Sequence, residues 1–141
     1  MIHYFDASAL VKRYIREAGS DVVRRLLGRG LAASSRISEV EVLSALMRRF
    51  REGVLSERDR DRVLRAVNED IASIYIVELS VDIASLARQL LLKHNLRAGD
   101  SIQLASCLYL REELAGDVLL VAYDDRLLTA AAREGLDSLG T

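Results

Sequence analysis

Four acidic residues are spaced along the chain at positions where their carboxylates could share one site. They are Asp6, Glu41, Asp100 and Asp124. Carboxylates that converge repel one another and take up protons, unless a multivalent cation keeps them ionised. Oxygen ligands of this kind suit Mg²⁺ or Mn²⁺ and do not suit zinc. Because such an ion can make a water nucleophilic and stabilise charge on a phosphodiester, the four acids predict metal-dependent phosphodiester hydrolysis.

Short apolar runs alternate with helical periodicities along the chain. The predicted strands are Ile2–Phe5, Leu31–Ser34, Ile74–Leu79, Val118–Ala122 and a last candidate at Leu136–Leu139. Apolar residues at three- and four-residue steps predict helices over Leu10–Ile15, Val22–Leu27, Val40–Phe50, Val63–Ile71, Ile83–Leu92, Ile102–Leu110 and Leu127–Ala132. This alternation predicts an α/β fold, with a central, mostly parallel sheet of four to five strands covered on both faces.

Parallel strands bring their carboxyl ends to one edge of the sheet, where ligands of open α/β folds bind. Asp6 directly follows the first predicted strand, Glu41 begins a helix just past the second, and Asp124 follows the fourth. These three acids are therefore expected at that edge. Asp100 follows a helix and a short loop, so only the tertiary fold can bring it to the others. Ser8, two residues after Asp6, is a candidate to hydrogen-bond a metal-bound water or a substrate oxygen.

Each of these acids also has an ordinary structural explanation at a helix start. Asp6 or Ser8 is a suitable N-cap for the first helix, and Asp124 or Asp125 for the last. Two tetrapeptides have the form of a capping box or are close to it, Ser38–Glu41 and Asp100–Gln103. Capping does not explain why Asp6 stands among apolar neighbours, where a buried carboxylate is costly without a compensating partner.

The composition sets limits without identifying a function. The chain has 141 residues, 50% of them hydrophobic, which is enough for a single domain over residues 1–141. Its net charge of −1 leaves any contact with RNA to a local basic patch. The only cysteine, Cys107, allows no intrachain disulfide, which fits a reducing cytoplasm. With no leader pattern and no apolar run near the ~20 residues of a membrane span, we expect neither secretion nor a membrane-spanning helix.

The sequence around each acid resembles a motif of PIN-domain ribonucleases, and among them of the VapC-type toxins of toxin–antitoxin pairs. The matching segments are Tyr4–Lys12, Glu41–Leu46, Leu96–Ala105 and Asp124–Leu136. In the first motif, an Asp at the end of the first strand is followed two positions on by a small hydroxyl residue. The resemblance covers nearly the whole chain, and its spacing selects Glu41 over Glu39 and Asp124 over Asp125.

The resemblance implies a three-layer α/β/α PIN-like fold and Mg²⁺- or Mn²⁺-dependent endonucleolytic cleavage of RNA. It implies that the four acids bind the metal, with Ser8 in support. It also implies a homodimer and an antitoxin partner that covers the acidic groove. Ala122 departs from the family pattern, because many relatives have Thr or Ser two positions before the last Asp. A hydroxyl contact to metal or substrate is then missing.

RNA needs a positive path to an acidic centre, because phosphates and carboxylates repel. Helices that begin near the expected site carry Lys12, Arg13, Arg16, Arg48, Arg49 and Arg51. Exposure to solvent is the ordinary explanation for each of these side chains taken alone. Apolar positions on the helices of Leu46 and Leu64 are candidate contact faces for the implied homodimer.

The sequence leaves two other functions open. An Asp that closes the first strand also occurs in aspartyl-phosphate enzymes, such as haloacid-dehalogenase-like phosphatases. In those enzymes the first Asp is followed two positions on by a second Asp, where this chain has Ser8. They also need a lysine at the end of a strand, which is not found in this sequence. The other possibility is a non-catalytic binding module on the same scaffold, in which the acids are helix caps and apolar helix faces mediate association.

Overall fold

Strands and helices alternate through residues 1–140, which are the residues that the computed structural model describes. The strands are β1 (Ile2–Phe5), β2 (Leu31–Ser35), β3 (Tyr75–Val77), β4 (Val118–Val121) and β5 (Asp137–Leu139). The helices are α1 (Ala7–Tyr14), α2 (Ser20–Leu27), α3 (Ile37–Arg51), α4 (Glu57–Ser73), α5 (Val81–Lys93), α6 (Ala98–Leu114) and α7 (Asp125–Arg133). The predicted α/β alternation is confirmed. In this part of the chain, no helix has the length and apolar character needed to cross a membrane.

The five strands form one sheet in the order β3-β2-β1-β4-β5, and each neighbouring pair is parallel. Strand β1 lies at the centre, with Ile2 opposite Leu31 of β2 on one side and Val118 of β4 on the other. All residues of β1 are buried, as expected for a central parallel strand covered on both faces. The ends of β1 and β4 therefore lie next to each other at the carboxyl edge of the sheet.

Two hydrophobic cores pack on opposite faces of the sheet. Successive side chains of a strand point to opposite faces, so Tyr4 enters the core formed with α5, α6 and α7, and Phe5 the core formed with α1 to α4. This arrangement confirms the three-layer architecture. Cys107 is buried in the first core. Leu46 itself belongs to the second core and is only 2% exposed, so a contact face on its helix would use other positions, such as Leu43, which is 40% exposed.

The capping-box interpretation of Ser38–Glu41 is also wrong. Helix α3 begins at Ile37, so Ser38 lies inside its first turn and does not cap it. Its hydroxyl is buried and pairs with Ser34 at 2.6 Å, because the folded core offers it better partners than the helix end does. Helix α6 begins at Ala98, which makes Asp100 its third residue and excludes Asp100 as a cap.

Candidate active site

The four predicted acids line one open pocket at the carboxyl edge of the sheet. Besides the acids, the pocket is lined by Ala7, Ser8, Val11, Ala45, Arg48, Arg97 and Gln103. Asp6 follows β1 directly, and Asp124 stands between β4 and α7. Glu41 projects from α3, and the first turn of α6 carries Asp100 to the same place. The structure thus brings together all four acids, including the one that strand positions could not place.

Two of the acids act as helix caps and line the pocket at the same time. Oδ1 of Asp6 accepts a hydrogen bond from the backbone N–H of Ala9 at 3.0 Å, which caps α1. Oδ1 of Asp124 accepts from the N–H of Leu127 at 3.0 Å, which caps α7. Each carboxylate has a second oxygen, so capping is compatible with ligation of a cation.

Ser8 connects the ends of the two central strands. Its Oγ lies 2.7 and 2.8 Å from the carboxylate oxygens of Asp6, to which it donates, and it accepts from the backbone N–H of Tyr123 at 3.0 Å. This hydroxyl fixes the Asp6 carboxylate relative to the strand that leads to Asp124. Ala122, the residue that departs from the family pattern, is fully buried and provides no hydroxyl.

The environment of Asp6 disfavours its ionised form. The side chain is almost fully buried, and this burial is the main cause that raises its pKa to about 7. Repulsion from Asp100 and Glu41 raises the pKa further, while hydrogen bonds from Ser8 and the Ala9 N–H oppose the shift. The pKa of Asp100 is raised by its own burial and by repulsion from Asp124 and Glu41. The carboxylates therefore lie close enough to destabilise one another's charge.

Glu41 is held on two sides by the first turns of α6. Its Oε1 accepts a hydrogen bond of 2.9 Å from Nε2 of Gln103. A Cβ placed on Gly99 would lie 2.7 Å from its Oε2, so only glycine lets the helix backbone approach this closely. Neither role was predicted from the sequence. The available signal was a single amide, Gln103, between the apolar residues of a buried helix.

The donor set fits a hydrated divalent cation better than a preformed cage. Within residues 1–140, no three His, Cys, Asp or Glu side chains are so arranged that they could hold a metal ion. Mg²⁺ keeps several waters and usually takes only one or two carboxylates directly, so it does not require such a cage. A cation here would relieve the repulsion that raises the pKa of Asp6 and Asp100. The pocket can hold Mg²⁺ or Mn²⁺ through carboxylates and water.

The predicted basic path is only partly present at the pocket. Four of the six predicted residues are engaged in ion pairs elsewhere: Lys12 and Arg49 with Glu17, Arg13 with Asp70, and Arg16 with Asp21. Arg51, the last residue of α3, does not line the pocket. Arg48 lines it as expected, and Arg97 was not predicted. Two arginines are thus placed to meet an anion at the acidic centre.

Neither lysine of the chain reaches this pocket. Lys12 is engaged with Glu17 and with the carbonyl of Ala18, and its ammonium lies over the ring of Tyr123. Lys93 lies 3.7 Å from Glu134. The lysine that an aspartyl-phosphate phosphatase needs is therefore missing from the lining of the acidic site.

The sequence profile of the PIN domain matches residues 3–133. The chain belongs to the PIN-domain family. Within it the chain is of the VapC type, since it is 35% identical over 135 residues to "Ribonuclease VapC45" of Mycobacterium tuberculosis. That match covers 94% of this chain and 90% of the relative.

Solved structures of VapC proteins share the PIN fold of this chain. VapC20 of Mycobacterium tuberculosis, described as a sarcin-ricin loop cleaving toxin, superposes with a TM-score of 0.67 and 15% identity. The match covers 91% of this chain and 94% of VapC20. VapBC2 of Rickettsia felis, bound to a promoter DNA fragment, gives a TM-score of 0.67 at 11% identity over 100% of this chain and 99% of the other. At such identities these likenesses concern the fold alone.

Proposed function

We propose that this PIN-domain protein is a Mg²⁺- or Mn²⁺-dependent endoribonuclease. The observation that carries the proposal is the convergence of four carboxylates in one pocket that no lysine lines. Burial, together with repulsion between the carboxylates, raises the pKa of Asp6 and Asp100, and a divalent cation would oppose this shift. The name of the 35% identical relative, a ribonuclease, supports RNA as the substrate.

The acids, the serine and the arginines of the pocket have different roles in the proposed reaction. Asp6, Glu41, Asp100 and Asp124 would hold the cation, directly or through water. When bound, the cation would lower the pKa of a water and stabilise negative charge on the scissile phosphate. Ser8 fixes the carboxylate of Asp6 by its hydrogen bonds. Arg48 and Arg97 provide positive charge that draws the RNA backbone toward an otherwise acidic centre.

We further propose that the protein is the toxin of a toxin–antitoxin pair and acts in the cytoplasm as a homodimer. Structures described as VapBC2 of Rickettsia felis and as a toxin–antitoxin complex from Klebsiella pneumoniae support the antitoxin partner. An apolar groove of about 810 Å³ between α3, α4 and β3, lined by Leu43 and Leu64, offers the antitoxin a surface. Val40 on its rim is 66% exposed.

Calorimetric titration with Mn²⁺ tests the metal site without depending on catalysis. We expect the wild type to bind Mn²⁺, and Asp6→Asn and Asp100→Asn to bind it at least about tenfold more weakly, since each loses a charged ligand. Asp125→Asn is a matched control, because this exposed acid does not line the pocket. A wild type that binds no Mn²⁺ would favour the non-catalytic binding module.

Cleavage of single-stranded or looped RNA tests the reaction. We expect cleavage that EDTA abolishes and that added Mg²⁺ or Mn²⁺ restores. Asp124→Asn should lose this activity while it remains folded by circular dichroism. Equal cleavage by the wild type and Asp124→Asn would identify a contaminating nuclease and reject the proposal. Exposure to beryllofluoride should leave the protein unlabelled, whereas an aspartyl-phosphate enzyme would be trapped.

A further inference from the structure

A fully buried amide joins the strand that leads to Asp6 with the helix that carries Glu41. Gln103 on α6 is 1% exposed. Its Oε1 accepts a hydrogen bond of 2.7 Å from the hydroxyl of Tyr4 on β1. Its Nε2 donates at 2.9 Å to Ser38 Oγ and at 2.9 Å to Glu41 Oε1, both on α3. Both hydrogens of the amide are used, and one of them goes to the carboxylate of the pocket.

The hydrogen bonds of this network run in one direction. Ser34 Oγ donates to the carbonyl oxygen of Phe5 at 2.6 Å, and this carbonyl can only accept. Since a hydroxyl has one proton, the 2.6 Å contact between Ser34 and Ser38 must have Ser38 as its donor. The hydroxyl of Ser38 is then the acceptor for Gln103. The network therefore requires the amide nitrogen, and not the oxygen, on the side of Ser38 and Glu41.

Tyr4 fixes the same orientation from the other end of the amide. The amide oxygen of Gln103 can only accept, so the hydroxyl of Tyr4, 2.7 Å away, is the donor of this hydrogen bond. A flipped amide would place Oε1 against the carboxylate oxygen of Glu41, and two acceptors would then face each other. Tyr4 and Ser38 together select the orientation in which Gln103 donates to Glu41.

The backbone of α6 restricts the position of the Glu41 carboxylate at its other oxygen, Oε2. A Cβ on Gly99 would lie 2.7 Å from Glu41 Oε2 and 3.6 Å from its carboxylate carbon. The carboxylate is thus bounded by the Gln103 amide on Oε1 and by the Gly99 backbone on Oε2. A side chain as long as glutamate loses considerable rotamer freedom when it is held in this way.

We infer that Gln103 is a positioning residue that holds the Glu41 carboxylate, in one rotamer, toward the proposed divalent cation. This inference rests on the proposed function, because it assigns Glu41 to the cation. A donor that orients a metal-ligating carboxylate typically contributes tenfold to a hundredfold to metal affinity. A purely structural role, in which the network only ties β1 to α3 and α6, would affect folding stability and leave metal affinity unchanged.

Mn²⁺ affinity measured by calorimetry, together with the thermal midpoint, separates the two roles. We expect Gln103→Leu to raise the dissociation constant for Mn²⁺ about tenfold or more. Ser20→Ala is the control, because it removes a buried hydrogen bond of α2, to the Ile15 carbonyl, outside the network of Gln103. It should lower the thermal midpoint without a change in Mn²⁺ affinity.

Gly99→Ala perturbs Glu41 from the opposite side without removing any hydrogen bond of the network. The added methyl would push aside the end of the Glu41 side chain and not any backbone atom. We therefore expect a folded protein that binds Mn²⁺ several-fold more weakly. Gly28→Ala is its control, since a Cβ there meets its nearest neighbour at an ordinary 3.6 Å. If Gln103→Leu is too unstable to purify, the double variant Tyr4→Phe, Gln103→Leu replaces it. The added Tyr4→Phe substitution removes the Tyr4 hydroxyl, which would otherwise be buried without an acceptor, and the expected change in Mn²⁺ affinity is the same.

A double-mutant cycle identifies the residue through which Gln103 acts. In a Glu41→Ala background, Gln103→Leu should cause no further loss of Mn²⁺ affinity, because its target is absent. Wild-type affinity in Gln103→Leu, with weakened binding in Glu41→Ala, overturns the positioning role and leaves the proposed function standing. A wild type that does not bind Mn²⁺ overturns both.

Discussion

Carboxylates of this molecule occupy two contrasting environments. In the acidic pocket, Asp6 is buried beside other carboxylates, and its pKa is raised to about 7. Near the end of α7, Glu134 lies 2.6 Å from Nε2 of His94 and 3.7 Å from Nζ of Lys93, and these partners lower its pKa. Asp70 is similarly paired, with Arg13 and with the hydroxyl of Tyr14.

The difference lies in where the compensating charge comes from. Glu134 lies near Lys93 and Asp70 pairs with Arg13, so the fold itself places a positive charge beside each of these acids. Asp6 receives only neutral donors, Ser8 and the N–H of Ala9, and faces two further acids. Arg48 and Arg97 line the same pocket, but within residues 1–140 no ion pair joins them to the four acids. Under the proposed function, these carboxylates take their cation from solution.

A cation built into the pocket should remove the difference between the two environments. Asp100→Arg should abolish detectable Mn²⁺ binding, because it removes a ligand and places a positive charge beside Asp6. The metal-free variant should also gain about 1 kcal/mol of unfolding free energy at pH 8, since the new charge relieves the repulsion on Asp6. Calorimetry and urea denaturation measure the two effects. Asp125→Arg, outside the pocket, should leave Mn²⁺ affinity unchanged.

Metal binding in the acidic pocket should depend on pH, because Asp6 titrates near neutral pH. With a pKa of about 7, Asp6 is mostly protonated at pH 6 and mostly ionised at pH 8. Mn²⁺ competes with that proton, so its affinity should be roughly tenfold weaker at pH 6 than at pH 8. Asp6→Asn should remove this dependence. Titrations at both pH values that give equal affinities would contradict the role of Asp6.

The raised pKa of Asp6 also determines how the stability of the metal-free protein changes with pH. A carboxyl whose pKa is higher in the folded state stabilises the fold at low pH and loses this contribution as the pH rises through the folded pKa. For Asp6 the contribution should therefore decline from about pH 4 to about pH 7. Denaturation of the wild type and of Asp6→Asn in EDTA, across this range, isolates the effect. Mg²⁺ should stabilise the wild type more at pH 8 than at pH 6.

Removal of a carboxylate that has a partner in the fold should lower the stability of the protein and leave its affinity for Mn²⁺ unchanged. Glu134→Gln weakens the contact with His94, and we expect a loss of about 1 kcal/mol in unfolding free energy near neutral pH. Because the pKa of Glu134 is lowered in the fold, its contribution disappears in the wild type as the pH falls through that pKa. Mn²⁺ affinity should not change. A metal-binding defect in Glu134→Gln would erase the distinction between the two environments.

The smallest expected effects concern the arginines of the pocket. Arg48→Ala or Arg97→Ala should raise the KM for RNA about threefold at low salt, because each removes one exposed positive charge near the phosphate path. The effect should fade at high salt, where exposed charges are screened. Steady-state cleavage at two salt concentrations provides the measurement, and Arg62→Ala, away from the pocket, provides the control.

Much of the fold was predictable because its signals are local. The apolar runs gave the strands, and the position of an acid after a strand placed Asp6, Glu41 and Asp124 at one edge of the sheet. Asp100 was not predictable in this way, since its arrival depends on how α6 packs across the sheet. Only the family resemblance suggested it.

The errors arose where a residue had a local and a distant partner to choose between. Ser38 has the spacing of a helix cap, yet its hydroxyl pairs with Ser34 and Gln103, which are brought to it by tertiary packing. The apolar pattern of α3 also does not tell which of its positions are buried, since Leu46 is 2% exposed and Leu43 is 40% exposed. Arg97 was missed because nothing local in the segment Leu96–Ala105 shows that an arginine just before α6 lines the pocket.

The strand order has a consequence for the time at which the pocket first exists. The central strand β1 is synthesised before its neighbour β4, which comes with residues 118–121, and Asp124 follows β4. A chain still attached to the ribosome at residue 115 has Asp6, Glu41 and Asp100 but not the strand that completes the edge beneath them. The acidic centre therefore assembles only after β4 and Asp124 have been synthesised, and until then a growing chain has no finished site.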